Sequence, residues 1–341
     1  MAGLRPAPKK GTKMKIRVLS HDEIKELLPI SECIPLMAEA LISFAEGKSK
    51  QPVRTIFRPP EALGLMGLMP SYRSEVRPVF GLKAVCVFPG NPAKGKDAHQ
   101  GAVLLFSAET GELLAIENAS AITAIRTAAV SAVAADLLAR KDAGVVAIIG
   151  AGIQGRAHLE AIRQVRRLAD VRVADKATER AEKFAEEARS RYSFSVAAMK
   201  SIESAVRGAD MVITVTNSSE PVIRREWIAG GTYINAVGAC TPAAREIDAR
   251  TVAASKLFVD NRAAILQESG DYLLALKDGA IGPDHIRGEI GELLIGTKPG
   301  RTTDKEIILF KSLGLAVEDL AAAEYAYRKA RETNRGTQVE F

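Results

Sequence analysis

The chain has 341 residues, 47% apolar and 26% charged, which is long enough for two domains and apolar enough to give each a full core. Its net charge of +6 is local, because Arg5, Lys9, Lys10, Lys13 and Lys15 supply five charges in a stretch without acids; the rest sums to about +1 with mixed signs, so no nucleic-acid-binding face is expected. No apolar run approaches the ~18 residues of a membrane span and no secretory signal is present, so no membrane partner is expected.

The opening segment, MAGLRPAPKKGTKMK, is rich in Pro, Gly and Lys and predicts a disordered basic tail over residues 1–15. Ser20 with Glu23 makes a capping-box pattern for a short helix. SECIPLMAEALISFAEG then reads as an amphipathic helix, with Ser31 as N-cap and Gly47 as stop. VRTIF, LGLMGLMP, VFGLKAVCVF, GAVLLFSA and GELLAIEN are short, β-rich and separated by turn residues. They predict a mainly antiparallel sheet over residues 50–118, with a hairpin turn at SAETGEL. Residues 119–140 are Ala-rich and helical. Beyond them strands alternate with helices: VVAIIG, helix 153–168, VRVAD, helix 177–190, FSVAA, helix 201–207, then MVITVT, TYINAVG and KLFVD, with TDKEIILF as a further candidate strand. That rhythm predicts a doubly wound parallel sheet of Rossmann type. The last segment, LAVEDLAAAEYAYRKARET, is amphipathic and is expected to return to the first domain. The expected fold class is α/β: a Rossmann domain over 141–311, and an α+β domain made of both chain ends, 16–140 with 312–341.

VVAIIGAGIQGRAH places Gly150, Gly152 and Gly155 in the G-x-G-x-x-G spacing, between an apolar strand and a helix opened by Ile153 and Gln154. Gly150 allows the tight turn, Gly152 lets the backbone approach a pyrophosphate, and Gly155 lets helix and strand pack. The next strand ends in Asp175, twenty residues after Gly155, where such folds carry a carboxylate for the ribose 2′-hydroxyl. A carboxylate repels a 2′-phosphate and favours NAD(H) over NADP(H); Lys176 beside it weighs the other way.

Hydride chemistry needs a second set of groups to hold the substrate. Arg54 in QPVRT, Lys83 in FGLKAVCVF and Arg126 in ITAIRTAAVSA sit in apolar strand-like or Ala-rich settings. A single Lys or Arg is most simply a surface side chain. The apolar neighbours of Lys83, however, predict burial on both faces of its strand, and a buried lysine needs an anion or a depressed pKa. With Arg126 it suggests a carboxylate clamp. Cys33, Cys86 and Cys240 are far apart, which suits a reduced cytoplasm; Cys33 and Cys86 read as inert core. Cys240, in INAVGACTP, follows a strand of the dinucleotide sheet at its ligand-binding edge and is read as facing substrate or nicotinamide. The scattered histidines have no metal-site spacing, so no metal is expected.

These segments, with GLMPSY, GLKAV, HQGAVLLFSAETGELLA, QESGD and FKSLGLAVEDLAAA in this order, resemble the ornithine cyclodeaminase/mu-crystallin family from about Ile16 to the C-terminal helix. That family also contains an archaeal-type alanine dehydrogenase and ketimine reductases. The HQ and FKSLG forms are most similar to the mu-crystallin and ketimine-reductase branch. The resemblance implies a homodimer formed through the first domain. It implies that Arg54, Lys83 and Arg126 hold a substrate carboxylate, with Arg126 also near the cofactor phosphates. It further implies that Thr216 and Ser312 lie near the cofactor, and that the NAVG stretch, including Val237 and Gly238, lines the nicotinamide end. Two departures stand out. Cyclodeaminases carry an aspartate where this chain has Cys240, and a threonine where it has Ala102. A thiol, with an ordinary pKa of ~8.5, pairs poorly with an ammonium group. The expected activity is therefore NAD(P)H-dependent reduction of a small-molecule cyclic imino acid: Δ1-pyrroline-2-carboxylate to L-proline, Δ1-piperideine-2-carboxylate to L-pipecolate, or both. Such ring-closed substrates have no distal amine. Lys83 would deliver or orient the imine proton, and Cys240 would be proton donor or pocket wall. Met66, Met69, Tyr72 and His99 are candidate walls, His99 also an acid. Ornithine cyclodeaminase, alanine dehydrogenase and a dinucleotide-dependent ligand-binding protein without turnover are the alternatives.

Overall fold

The period-two patterning of the first third builds one sheet, and the strand–helix alternation that follows builds a second; the computed structural model describes residues 15–75 and 77–341. The tail expected over 1–15 lies outside the described residues, except for Lys15, which is paired within β1 (Lys15–Leu19). Ser20 caps α1 (His21–Leu27) through a reciprocal capping box with Glu23, as the sequence predicts. The N-cap of α2 (Ile30–Ala45) is Pro29 rather than Ser31, because the fixed φ of proline supplies the extended entry two residues earlier. Gly47, at φ +73°, ends that helix.

β2 (Ser49–Lys50), β3 (Thr55–Phe57), β4 (Leu65–Arg73), β5 (Val79–Val87), β6 (His99–Ser107) and β7 (Leu113–Asn118) come next, followed by α3 (Ala119–Leu138), capped by Asn118. The second half runs β8 (Val145–Ile149), α4 (Ile153–Val165), β9 (Asp170–Ala174), α5 (Thr178–Arg191), β10 (Ser195–Ala198), α6 (Ile202–Val206), β11 (Met211–Thr214) and β12 (Tyr233–Ala236). It continues with α7 (Ala249–Ala254), β13 (Lys256–Val259), α8 (Arg262–Glu268), α9 (Gly270–Lys277), β14 (Ile286–Glu289), α10 (Ile290–Leu294) and β15 (Ile308–Lys311). α11 (Ala316–Glu332) and β16 (Thr337–Glu340) follow.

The second sheet is parallel throughout, in the order β10-β9-β8-β11-β12-β15-β13-β14. Chain order reverses at β8, so the carboxyl ends of β8 and β11 border the crevice where doubly wound folds take their ligands. The first sheet runs β16-β1-β7-β6-β5-β4-β2, with β3 on β4, and is antiparallel except where β1 meets β7. β16 has no apolar alternation and is exposed along its length; it is a strand because the open edge of β1 pairs it.

Strand parity decides what each residue of β4 and β5 can do. Met69, Gly81 and Lys83 face α11 and α3, and Gly81 lets Leu320 come close: a Cβ there would lie 2.9 Å from Leu320 Cδ1. Met66, Tyr72, Phe80, Leu82 and Cys86 take the opposite face, which leaves Met66 41% and Phe80 49% exposed. Three expectations are corrected by this parity. Lys83 is buried on one side of its sheet, not between two covered faces. Met66 and Tyr72 point away from Lys83 and cannot wall its pocket. Cys86 is half-exposed, whereas Cys33 is buried in α2.

α3 corrects a fourth. It is long and apolar enough to cross a membrane, yet 72% of its most apolar window is buried inside the protein, where it packs on α2, α4 and β6. His158 of α4 is fully buried and pins that helix to α3, with Nε2 2.9 Å from Ser131 Oγ.

Candidate active site

The loop between β8 and α4 shows why each glycine is needed. Gly150 sits at φ +112°, and a Cβ there would meet the Val215 carbonyl oxygen at 2.8 Å. At Gly155 a Cβ would collide with the carbonyl of Gly150. Gly152 is the N-cap of α4, caps nothing with a side chain, and a Cβ there would meet no atom within 4 Å. Open space thus stands over uncapped N–H groups at a helix start, which suits a pyrophosphate. Asp175 accepts hydrogen bonds from the N–H groups of Ala151 (2.7 Å) and Ala177 (2.9 Å), tying the loop to the end of β9. Lys176 beside it is exposed, as is Ile153 at the head of α4. Gln154 Nε2 reaches the carbonyl of Thr123 at 3.5 Å, while Gln154 Oε1 and Thr123 Oγ1 are buried without partners. These residues fit a dinucleotide.

At the ends of β11 and β12 a buried carboxylate does the placing. Glu246 accepts from Thr214 Oγ1 (2.9 Å), from both the N–H and Oγ1 of Thr216 (2.7 Å each) and from the N–H of Gly238 (2.7 Å). Burial holds its pKa above the ordinary value, against the opposing charge of Lys311. The N–H of Glu246 donates to Asp271 (2.8 Å), Asp271 pairs with Lys311 (2.9 Å), and Lys311 Nζ donates to the carbonyl of Ala239 (2.6 Å). The Val237–Cys240 turn is therefore fixed from below. Cys240 is an exposed residue whose Sγ donates to the carbonyl of Val237 at 3.3 Å. Packing around the sulfur raises its pKa, so the thiol is neutral near pH 7. Ser312 is buried, and Asp260 receives its Oγ (3.3 Å) together with the N–H groups of Leu313 (2.6 Å) and Gly314 (2.8 Å).

The three cations converge on this last loop and on α11. Lys83 Nζ lies 3.1 and 3.2 Å from the two carboxylate oxygens of Asp319. Arg126 donates through Nε to the same Asp319 (2.9 Å) and through Nη1 to Glu318 (2.8 Å), and none of these four side chains exceeds 4% exposure. Arg54 donates to the carbonyls of Leu313 (2.8 Å) and Gly314 (2.9 Å), with Nε 3.1 Å from Glu268. Gly314 lies between the two arginines at φ +77°, where a Cβ would clash with the guanidinium of Arg126. Met69, opposite Lys83 in the β4–β5 register, lines a narrow cleft with Arg54, Glu268 and Gly314. Burial lowers the pKa of Lys83 to about 8; Asp319 opposes the shift, and Arg126 and Arg54 add to it. His99 opens β6 as an exposed residue; protein mass around the ring, then the charges of Lys83 and Arg126, lower its pKa to about 4. Its imidazole is neutral near pH 7. Among the described residues no cluster of His, Cys, Asp or Glu could hold a metal ion.

Residues 14–334 match the Ornithine cyclodeaminase/mu-crystallin family. The chain belongs to that family. Ketimine reductase mu-crystallin of Mus musculus is 40% identical over 313 residues, which is 91% of this chain and 96% of the mouse protein. The Δ1-pyrroline-2-carboxylate reductase of Bacillus cereus is 36% identical over 325 residues, 95% of this chain and 99% of that protein. The solved structure of Thermococcus litoralis Δ1-pyrroline-2-carboxylate reductase in complex with NADH and L-proline has a TM-score of 0.93 and 39% identity, covering 95% of this chain and all of that one. In this member of the ornithine cyclodeaminase/mu-crystallin family, sequence reading named the cations and missed their anions. Glu318 and Asp319 lie among apolar and small residues in LAVEDLAAA, and that burial signal in acids could have found them; Glu246 in AREIDAR, Glu268 in LQESGD and Asp260 in FVDNR have polar or charged neighbours and carry no such signal.

Proposed function

We propose that this protein is an NAD(P)H-dependent reductase of cyclic imino acids, converting Δ1-pyrroline-2-carboxylate to L-proline, Δ1-piperideine-2-carboxylate to L-pipecolate, or both. The observation that carries the reading is the convergence of Arg54, Lys83 and Arg126 on the Gly314 loop and Asp319, with a neutral thiol at position 240. Three cations suit a carboxylate. A neutral thiol offers no counter-charge to the distal ammonium of a diamine, which disfavours ornithine cyclodeamination. The bound dinucleotide supplies the hydride. Lys83, Arg126 and Arg54 fix the substrate carboxylate, and the narrow cleft beside Met69 limits water at the ring. Lys83, with a pKa of about 8, holds a proton at neutral pH and is the group we assign to the imine nitrogen. Cys240 serves as pocket wall. Asp175 favours NAD(H), since its carboxylate would repel a 2′-phosphate.

We place the substrate and dimer surfaces on 16–140 with 312–341, and the cofactor on 141–311. The half-covered apolar face of β4 and β5, with Met66, Tyr72 and Phe80, is the surface on which two copies would pair. Free cysteines throughout the described residues suit the cytoplasm. The reading is tested by following oxidation of NADH and NADPH with the five- and six-membered cyclic imines, beside ornithine and beside pyruvate with ammonia. Lys83→Ala separates an enzyme from a binding protein: turnover falls while NADH binding persists.

A further inference from the structure

The fixed charges around the cleft cancel. Lys83 and Arg126 are matched by Asp319 and Glu318, and Arg54 by Glu268. Asp260 adds one more acid beneath the Gly314 loop. A ligand carboxylate therefore enters a site with no unmatched cation, unless one acid takes a proton. Asp319 is bonded through both oxygens, and Asp260 is engaged by backbone N–H groups. Glu268 lies nearest to solvent of the matched acids. Glu318 differs from all of them. It is fully buried, Oε2 accepts from Arg126 and from the N–H of Leu315 (3.1 Å), and Oε1 has no partner.

We propose that Glu318 takes up a proton when a carboxylate ligand without an ionised nitrogen enters the site, which frees the Arg126 guanidinium to face that ligand. The proposal rests on the imino-acid reading above and adds a residue outside the substrate contacts to it. The groups facing Glu318 are Arg126 from α3, Asp319 on its own helix, Asp260 after β13 and the Cys33 thiol from α2. Burial raises its pKa to about 7; Arg126 pulls it down, and Asp260 and Asp319 push it up. Near neutral pH the group thus sits where a new negative charge tips it to the acid form. The stoichiometry agrees. A neutral imine receives one hydride on carbon and two protons on nitrogen before the product is a zwitterion. Glu318 keeps the cluster balanced until the nitrogen is charged, and its own proton is released as the zwitterion forms.

Isothermal titration of the NADH-saturated protein tests this, in buffers of different ionisation enthalpy. The probe is pyrrole-2-carboxylate, a planar ring carboxylate whose nitrogen is not basic. From a pKa of about 7, the expected uptake is about 0.7 proton at pH 7.5 and below about 0.1 at pH 5.5. Glu318→Gln should bind the probe and take up at most about a quarter of a proton at pH 7.5, the share open to Lys83 with its pKa of about 8. L-proline, which brings its own ammonium, should cause almost no uptake. Should the variant fail to fold, Glu268→Gln decides instead: Lys83 alone can supply only about a quarter of a proton at pH 7.5, so this variant should keep an uptake of about 0.7, and loss of the uptake would place the proton on Glu268 and overturn the proposal. Probe binding without uptake, or uptake unchanged in Glu318→Gln, overturns the proposal and leaves the carboxylate reading standing. Failure of both the probe and L-proline to bind overturns both.

Discussion

Asp319 is the anion on which the candidate site is assembled, and Asp319→Asn removes its charge while keeping its size. Lys83 Nζ and Arg126 Nε, now 3.1 and 2.9 Å from Oδ1, would face each other with Glu318 as the remaining buried counter-charge on α11. Breaking a buried ion pair by removing one partner costs ~3–5 kcal/mol. Lys83 limits that cost by losing its proton, since burial has already lowered its pKa to about 8. The sign follows from linkage. A lysine whose folded pKa lies below its ordinary 10.5 penalises the fold while charged, and the penalty fades as pH rises from about 8 toward 10.5. Asp319→Asn lowers that pKa further, so relative to the wild type this part of the loss is full below the lowered pKa, fades as pH rises from there to about 8, and is absent above it. The expected loss is ~2–4 kcal/mol at pH 7 in urea unfolding of the cofactor-free protein, falling by about half or more at pH 9.5. The kcat/KM for a cyclic imine should fall at least ~100-fold at pH 7, because a neutral Lys83 neither holds the carboxylate nor protonates the ring. Wild-type stability together with wild-type kcat/KM at pH 7 would refute the reasoning.

Four further variants probe the remaining parts of the site. Gly314→Ala places a methyl group against Arg126 at a φ of +77°, and should raise the KM for imine at least about tenfold with a smaller effect on kcat. Glu246→Gln turns one acceptor into a donor facing the donors of Thr214, Thr216 and Gly238; it should cost ~1–3 kcal/mol and weaken NADH binding measured by fluorescence. Asp175→Ser should shift the NADH-to-NADPH ratio of kcat/KM toward NADPH by about tenfold or more, and an unchanged ratio would remove Asp175 from coenzyme selection. Cys240→Ala should keep imine reduction within about threefold, whereas a loss of more than about 100-fold would make the thiol a proton donor.

The glycine loop was legible because each of its glycines answers a local need, a turn, an open space or a close approach, that the motif itself spells out. The cations Arg54, Lys83 and Arg126 were legible because charge in apolar surroundings demands a partner. Their partners were not, since Asp319 lies 236 residues from Lys83 and 193 from Arg126, and no periodicity connects such segments. Sheet parity was equally hidden. β4 and β5 are apolar on both sides, and only the packing of α11 shows that Met69 faces the cleft while Met66 and Tyr72 face away. β16 could not be read at all, because its four residues become a strand only through the edge that β1 offers. The hydropathy of α3 gave the opposite difficulty: a helix buried over most of its surface has too little polar face to mark it as part of a globular core.

The most direct test of the account is the stoichiometry of NADH consumption by the purified protein with Δ1-pyrroline-2-carboxylate, run beside ornithine. The account predicts one NADH oxidised per L-proline formed from the imine, and no ammonia from ornithine. Proline and ammonia appearing from ornithine with no net change in NADH, while the imine leaves NADH untouched, would contradict it.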